Sequence, residues 1–432
     1  MQNFGIVGAG GAGFPSYAKL AEGANLLLIN GAECEPLLYT DYVILKNELG
    51  MVLTGISEVL SHTGISTALV AIKDHTAKRL GWEDGEALGN KIFVRILPDV
   101  YPMGDEISLI YEASGRLIKP GKLPITEGVI VYNVETMYNL GRAVRFSEPV
   151  TKKWLTVGGD IKNPTVIKVP IGAKVSDIFR ILNIEIKEGY TVLDGGPSMG
   201  KVINPRTYSV TKTTKGLLIL PDYTQAVLSK KMNEKMAIAR AETACCQCTR
   251  CTDMCPRNML GYPLEPHKMV RTAMGAAQAM PEMVISATLC CGCGICESLA
   301  CNQGISPRAV IDNYKMLLSK NRLRFDGNGE YSVRAERDYR MVPSSKWISM
   351  LGISKFDKTA DFGGEINDFS RVELPFSGHI GIPSIPAIKD GDFVNEGDLI
   401  AKAADGLSLP RHASLSGKAT LENDKIIIDK VR

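Results

Sequence analysis

Cys245-Cys-Gln-Cys248-Thr-Arg-Cys251-Thr-Asp-Met-Cys255-Pro256 and Cys290-Cys-Gly-Cys293-Gly-Ile-Cys296-Glu-Ser-Leu-Ala-Cys301 decide what this chain is built around. Each run sets three cysteines at a repeated two-residue spacing. A fourth follows after three residues and before a proline in the first run, and after four residues in the second. Three thiolates on a tight loop can hold three corners of a cubane, and the fourth, on the following turn, points at the neighbouring cluster. The spacing therefore predicts two [4Fe–4S] clusters, one on Cys245, Cys248, Cys251 and Cys301, the other on Cys290, Cys293, Cys296 and Cys255. Side by side, two such clusters imply single-electron transfer. Structural zinc favours C-x-x-C pairs separated by a longer loop. Disulfides are not expected, because nothing at the N-terminus resembles a secretory signal. Cys246 and Cys291 are out of register and read as spare thiols, and Cys34 as a small buried residue.

A chain of 432 residues is long enough for several domains, each with its own core. The net charge of +3 gives no reason to expect nucleic acid or an anionic membrane as partner. No apolar run approaches the roughly 18–20 residues of a membrane span. Met1-Gln-Asn-Phe-Gly runs straight into a glycine loop, so no signal peptide is expected. Thiolate clusters call for a reducing setting, the cytoplasm or a compartment within it.

Periodicity predicts an α/β multidomain chain. Residues 1–150 read as a Rossmann-like layer, with strands at Phe4–Val7, Asn25–Ile29, Thr67–Lys73 and Ile92–Leu97 and helices at Phe14–Glu22 and Val43–His62. Residues 151–224 read as a small β-grasp domain, with strands at Lys153–Val157, Thr165–Val169 and Gly216–Leu220 around a helix at Val175–Leu182. Residues 225–325 hold the cysteines between helices at Lys230–Glu242 and Pro266–Met280. Residues 326–370 are charged, Gly-rich and weakly periodic, and read as a linker with little regular structure. Residues 371–432 are short strands with repeated x-Gly-Asp turns, resembling a lipoyl-like barrel-sandwich hybrid. Ala404–Ser416 offers no lysine for modification, so that domain reads as structural or as an interface. His62, His75, His267, His379 and His412 form no spaced pair suited to zinc catalysis.

Gly8-Ala-Gly10-Gly11-Ala-Gly13 satisfies G-x-G-x-x-G, and Glu33 follows twenty residues later, near where a Rossmann acid would hold a ribose. Glycines let backbone N–H groups approach a phosphate, and FMN carries one as a dinucleotide does. The wider context resembles a known family. Gly8 to Pro15 with Lys19, then Asn30-Gly-Ala-Glu33-Cys-Glu35-Pro36, is similar to the flavin-binding subunit of respiratory complex I and its RnfC relatives. Tyr101-Pro-Met-Gly104-Asp-Glu106 resembles the loop over the flavin in that family. Tyr132-Asn133-Val-Glu135-Thr136 resembles its Asn-Asn-Val-Glu-Thr, with Tyr132 replacing the first Asn. In RnfC proteins the barrel-sandwich segment comes first. Here it comes last, the order of the cobalamin reductases of bacterial propanediol utilisation.

The resemblance implies FMN on Gly8, Gly10, Gly11 and Gly13, with Lys19 supplying charge and Asn30, Asn133 and Thr136 hydrogen-bonding the flavin. Glu33, Glu35 and Glu106 would line the pocket where NADH stacks, with Phe14 as a stacking surface. It further implies an SLBB-like β-grasp domain and an NADH-dependent reductase acting on cobalamin, with a corrinoid adenosyltransferase as partner and a bacterial microcompartment as possible location. The alternative is an RnfC-like electron-transfer subunit of an ion-pumping or microcompartment assembly. A polysaccharide-binding module on the β-grasp domain is the non-redox reading. No side chain is expected to act as a catalytic acid or base, because a flavin takes hydride and clusters take single electrons.

Overall fold

The computed structural model describes residues 1–11, 13–276, 280–327 and 329–431. An apolar run with little alternation folds as strands buried on both faces. Leu26–Asn30 (β1), Ala68–Lys73 (β2), Ala87–Gly89 (β3) and Ile92–Leu97 (β4) join Val129–Asn133 (β6) in one sheet of order β3-β4-β2-β1-β6. Only the β3–β4 pair is antiparallel. Thr40–Thr63 (α1) and Val134–Phe146 (α4) cross so closely that a Cβ on Gly55 would sit 2.0 Å from the Met137 carbonyl oxygen. Asp74–Leu80 (α2) follows β2, Val100–Tyr101 (β5) lies outside this sheet, and Glu106–Ser114 (α3) packs on the sheet's other face.

The β1–β6 register pairs Asn30 with Asn133 at the carboxyl ends of both strands. Chain order reverses there, since β2 lies on one side of β1 and β6 on the other. A crevice at such a switch point is where open α/β sheets bind ligands.

The glycine loop reaches that crevice by a route the motif does not foretell. Phe4–Val7 is no strand of the sheet; Val7 only bridges Pro15. The helix expected over Phe14–Glu22 is a single 3-10 turn, Ser16–Lys19. Pro15 gives the turn its start, but no helix N-terminus follows the loop as a dinucleotide fold requires. Ala12 lies outside the described residues.

Lys152–Gly159 (β7), Thr165–Pro170 (β8), Tyr190–Asp194 (β9), Lys201–Ile203 (β10) and Gly216–Pro221 (β11) build a second sheet, with the helix Val175–Ile181 over its core. Its sixth strand corrects the expected linker. Asp361–Glu365 adds beside β8 in parallel, with a bulge at Gly363. Residues 326–370 also carry the helices Arg337–Arg340 and Ser344–Met350 and the strand Val342–Pro343, which pairs with β5. Trp347 anchors the segment: it is buried, stacks on Tyr101 at 4.6 Å and donates to the Ser198 hydroxyl at 2.9 Å. These elements span two to seven residues, too short for a period to register in sequence. Asn328 lies outside the described residues.

The cysteine region is helical. The helix read over Lys230–Glu242 is two, Gln225–Lys231 and Glu234–Ala244, with Asn233 capping the second. The one read over Pro266–Met280 is helical over Pro266–Arg271 and continues as a wider turn to Ala276; 277–279 lie outside the described residues. Pro307–Lys320 closes the region. The tail forms a four-stranded and a three-stranded antiparallel sheet, from Arg371–Pro375 to Lys425–Asp429. No helix among the described residues is long and apolar enough to cross a membrane.

Candidate functional site

A cavity of about 330 Å³ sits at the switch point. Gly8, Gly10, Gly11, Phe14, Lys19, Asn30, Glu106 and Asn133 all line it, with Gly104, Asp105 and Met199. A larger cavity, about 570 Å³, lies elsewhere, between Arg142, Lys168 and Glu396, and is lined by none of these residues. Size therefore does not locate the site; the convergence of glycine loop and strand ends does. At Gly11 an added Cβ would meet nothing within 4 Å, so the backbone there stands open to the cavity. At Gly10 a Cβ would sit 3.1 Å from the Asn133 side chain, so the loop rests on that residue.

The two asparagines are held rigidly. Asn133 caps α4, its Oδ1 accepting from the Glu135 N–H at 3.0 Å, while Nδ2 donates to the Asn30 carbonyl and to Asp41 Oδ2. Asn30 Nδ2 donates to the Gly104 carbonyl at 3.0 Å. Lys19 Nζ lies 2.9 Å from Glu106 Oε1 and donates to the Val131 carbonyl at 3.1 Å. That pair is about a third exposed, so it adds little stability and serves to hold both groups at the cavity.

Four expected contacts do not line the cavity: Gly13, whose carbonyl accepts from the Ile380 N–H at 3.1 Å, and three acids or hydroxyls behind the wall. Thr136 is fully buried and accepts from the Ala9 N–H at 3.1 Å, propping the glycine loop from beneath. Glu33 turns away to accept from the Thr40 and Asp41 N–H groups at 3.0 and 3.1 Å, at the start of α1. Burial, then the Asp41 charge, pushes its carboxyl up to about 8. Glu35 accepts from the Ser198 N–H at 2.8 Å and from the Tyr101 hydroxyl at 3.3 Å, and burial raises its carboxyl too. Helix capping and a buried loop thus take the two acids that spacing points to as cavity residues. Cys34 packs under Gly104, where a Cβ would come 2.9 Å from its sulfur, and burial pushes its thiol up to about 12.

The cysteines of the two runs line two pockets. Cys245, Cys246, Cys248, Cys251 and Cys301 line one pocket, with His267. Cys255, Cys290, Cys293 and Cys296 line another. The first is at the surface, with Cys248 exposed; in the second, Cys255, Cys293 and Cys296 are buried. The loops match in conformation: Gln247 (φ 54°) and Thr249 (φ 61°) in the first run correspond to Gly292 (φ 74°) and Gly294 (φ 81°) in the second. Burial pushes Cys251 up to about 12 and Cys290 to about 11, with neighbouring thiols adding to both. Burial likewise raises Cys255 and Cys296. Thiolates so placed are stable only with a compensating cation, and this donor set suits iron–sulfur clusters.

Spacing did not single out Asp105, Met199 or Cys291. Asp105 had a signal, its place between Gly104 and Glu106; Met199 had none, coming from the loop between β9 and β10. Cys291, read as spare, lines both the switch-point cavity and the buried cysteine pocket.

Comparison with known proteins agrees with this geometry. Residues 1–142 match the Nuo51 FMN-binding domain, 244–306 a 4Fe-4S dicluster domain and 364–425 the RnfC barrel sandwich hybrid domain. The protein is thus a flavin- and iron–sulfur-dependent oxidoreductase. Cobalamin reductase PduS of Salmonella typhimurium is 35% identical over 98% of this chain and 94% of its own length. Its counterpart from Citrobacter freundii is 35% identical over 96% and 91%. A protein of the Na(+)-translocating ferredoxin:NAD(+) oxidoreductase complex of Acetobacterium woodii is 31% identical over 59% of this chain and 56% of its own length. A solved chain of an NAD+-reducing [NiFe]-hydrogenase aligns with a TM-score of 0.46 at 18% identity, over 82% of this chain and 66% of that one. The chain belongs to the cobalamin reductase PduS family.

Proposed function

We propose that this chain is an NADH-dependent cobalamin reductase in which electrons pass from NADH through FMN, the buried cluster and the surface cluster to cob(III)alamin or cob(II)alamin. The observation that carries the order is Cys291, shared by the flavin cavity and the buried cysteine pocket, while the other pocket opens to solvent at Cys248. When bound, FMN supplies the conversion of a two-electron hydride into single electrons that clusters can take.

The residues bind, orient and shield. The backbone at Gly8, Gly10 and Gly11 receives the flavin phosphate, with Lys19 as the nearby cation, while Gly13 holds the loop in place from outside the cavity. Asn30 and Asn133 fix the flavin through amides already locked by backbone bonds. Phe14 and Glu106 face the nicotinamide side. Thr136, Glu33 and Glu35 position loops around the cavity and touch no cofactor. Cys245, Cys248, Cys251 and Cys301 hold the surface cluster, and Cys255, Cys290, Cys293 and Cys296 the buried one.

The second sheet with its helix is an SLBB-like β-grasp domain in this reading, covering about 151–224. It sits between a flavin domain at 1–150 and a two-cluster domain at 225–325, with the barrel-sandwich hybrid at 371–432. A corrinoid adenosyltransferase is the partner that would consume the reduced cobalt, within the cytoplasm or a bacterial microcompartment. The 31% identity to a protein of an ion-translocating complex supports a second reading, an RnfC-like relay. Anaerobic protein with one FMN and eight iron per chain should reduce cob(III)alamin with NADH. A protein that holds both cofactors and reduces only a ferredoxin would favour the relay.

A further inference from the structure

We propose that Arg257 tunes the buried cluster, and that its ion pair with Asp105 ties that tuning to the flavin cavity; the inference rests on the function proposed above. Arg257 follows Cys255-Pro256 and lines the buried cysteine pocket. Its Nη2 lies 2.7 Å from Asp105 Oδ1, with the two side chains 13% and 8% exposed. Asp105 lines the flavin cavity. Cys291 lines both spaces. The partition between flavin and cluster is therefore one layer of side chains, a thiol and an ion pair.

The guanidinium is poised toward the cluster. Its Nε is buried and has no hydrogen-bond partner among the described residues. A buried donor without an acceptor is costly, and a cluster sulfur is an acceptor of the kind that tunes potential. The cation lies 5.4 Å from the Tyr262 ring centroid, which holds its plane. Arginine stays charged in any such setting. An electron on the cluster adds negative charge where little water screens it, so a fixed cation favours the reduced state. Of the other cations near the pocket, Arg308 is offset by two carboxylates, Glu297 at 3.6 Å and Asp312 at 3.4 Å, and Lys315 donates to the Cys290 carbonyl at 3.0 Å. Among the described residues, Asp105 is the one carboxylate paired with Arg257. Arg257 performs no chemical step: one electron leaves the reduced flavin, one reduces the cluster, and the cation biases where it rests. Arg257 and Asp105 must then act with opposite sign on the buried cluster and scarcely at all on the surface one.

The test is an EPR-monitored redox titration of the full-length holoprotein, with iron, sulfide and FMN measured on the same samples. A Cys248→Ser variant, lacking the surface cluster, assigns the signals. Arg257→Gln should weaken reduction of the buried cluster roughly tenfold, a shift of about 59 mV to lower potential for one electron. Asp105→Asn keeps the oxygen that caps α3 and should shift the same cluster upward. Arg257→Lys should fall between Gln and the native protein. An unchanged potential, or shifts of the same sign in the Gln and Asn variants, with iron and FMN intact, overturns the inference. If Arg257→Gln loses the buried cluster, the Asn variant decides by the same criterion. Native protein without FMN or clusters would instead remove the function proposed above, and this inference with it.

Discussion

Alanine at three glycines of the N-terminal loop should separate flavin binding from folding. Gly11→Ala places a methyl where nothing lies within 4 Å, at a φ outside the left-handed region. Folding should be unharmed, and loss of chain entropy in the unfolded state can add about 0.4–1 kcal/mol of stability. The methyl nevertheless stands where a phosphate must approach the backbone, so FMN affinity should fall at least about tenfold, or about 1.4 kcal/mol. Gly13→Ala should do the reverse. Its φ is +75°, and a Cβ would lie 2.9 Å from Thr213 Cγ2. The left-handed conformation costs about 1–2 kcal/mol and the crowding about 1–3 kcal/mol more. At roughly 2–4 °C per kcal/mol, the first unfolding transition should drop by about 4–20 °C. Gly10→Ala is intermediate, because its methyl would press the Asn133 side chain at 3.1 Å and strain the cap of α4. Thermal unfolding of flavin-free protein and quenching of FMN fluorescence give the two readouts. Native FMN affinity in Gly11→Ala would refute the cradle, whatever the stability data show.

Further outcomes can be checked in parallel. Cys248→Ser or Cys293→Ser should lower iron from eight to four per chain, whereas Cys246→Ser should leave eight; equal loss from Cys246→Ser would mean the ligand register is displaced by one. Glu135 and Lys153 form a fully buried ion pair, so Glu135→Gln should cost about 3–5 kcal/mol by leaving the lysine charge uncompensated, as denaturant unfolding would report. Because burial raises the folded-state Glu33 carboxyl to about 8, the folded chain binds the extra proton. Its contribution to stability is therefore full below about pH 4.5 and is lost as pH rises toward 8, and Glu33→Gln should flatten that slope. Thr249, at φ 61°, corresponds to a glycine in the second run, so Thr249→Gly should retain eight iron and raise stability by about 1 kcal/mol.

The dicluster region was legible because iron–sulfur binding is written in local cysteine spacing. Three of the five strands of the flavin-domain sheet were legible too, since β1, β2 and β4 are mostly apolar runs, whereas β3 and β6 were not. The glycine loop was legible as a loop, yet its G-x-G-x-x-G spacing implied a strand and a helix that are absent. Long-range contacts hold it instead: the Val7–Pro15 bridge, Thr136 beneath Ala9, and the Ile380 N–H donating to the Gly13 carbonyl at 3.1 Å. Glu33 and Glu35 were misjudged for one reason: a carboxylate beside a helix start is also a cap, and burial beneath a neighbouring domain leaves no trace in sequence. The segment at 326–370 escaped notice because its strands depend on edges offered by β5 and β8, far away in the chain.

The most direct measurement is cobalamin reduction by a protein that keeps FMN and the buried cluster but lacks the surface cluster. Cys248→Ser, purified anaerobically with four iron and one FMN, should oxidise NADH with a soluble two-electron dye at near the native rate. It should reduce cob(III)alamin at less than about a tenth of the native rate, because electrons have no exit to the surface. Native-rate cobalamin reduction by this variant would show that the flavin or the buried cluster delivers electrons by itself, and would contradict the proposed route.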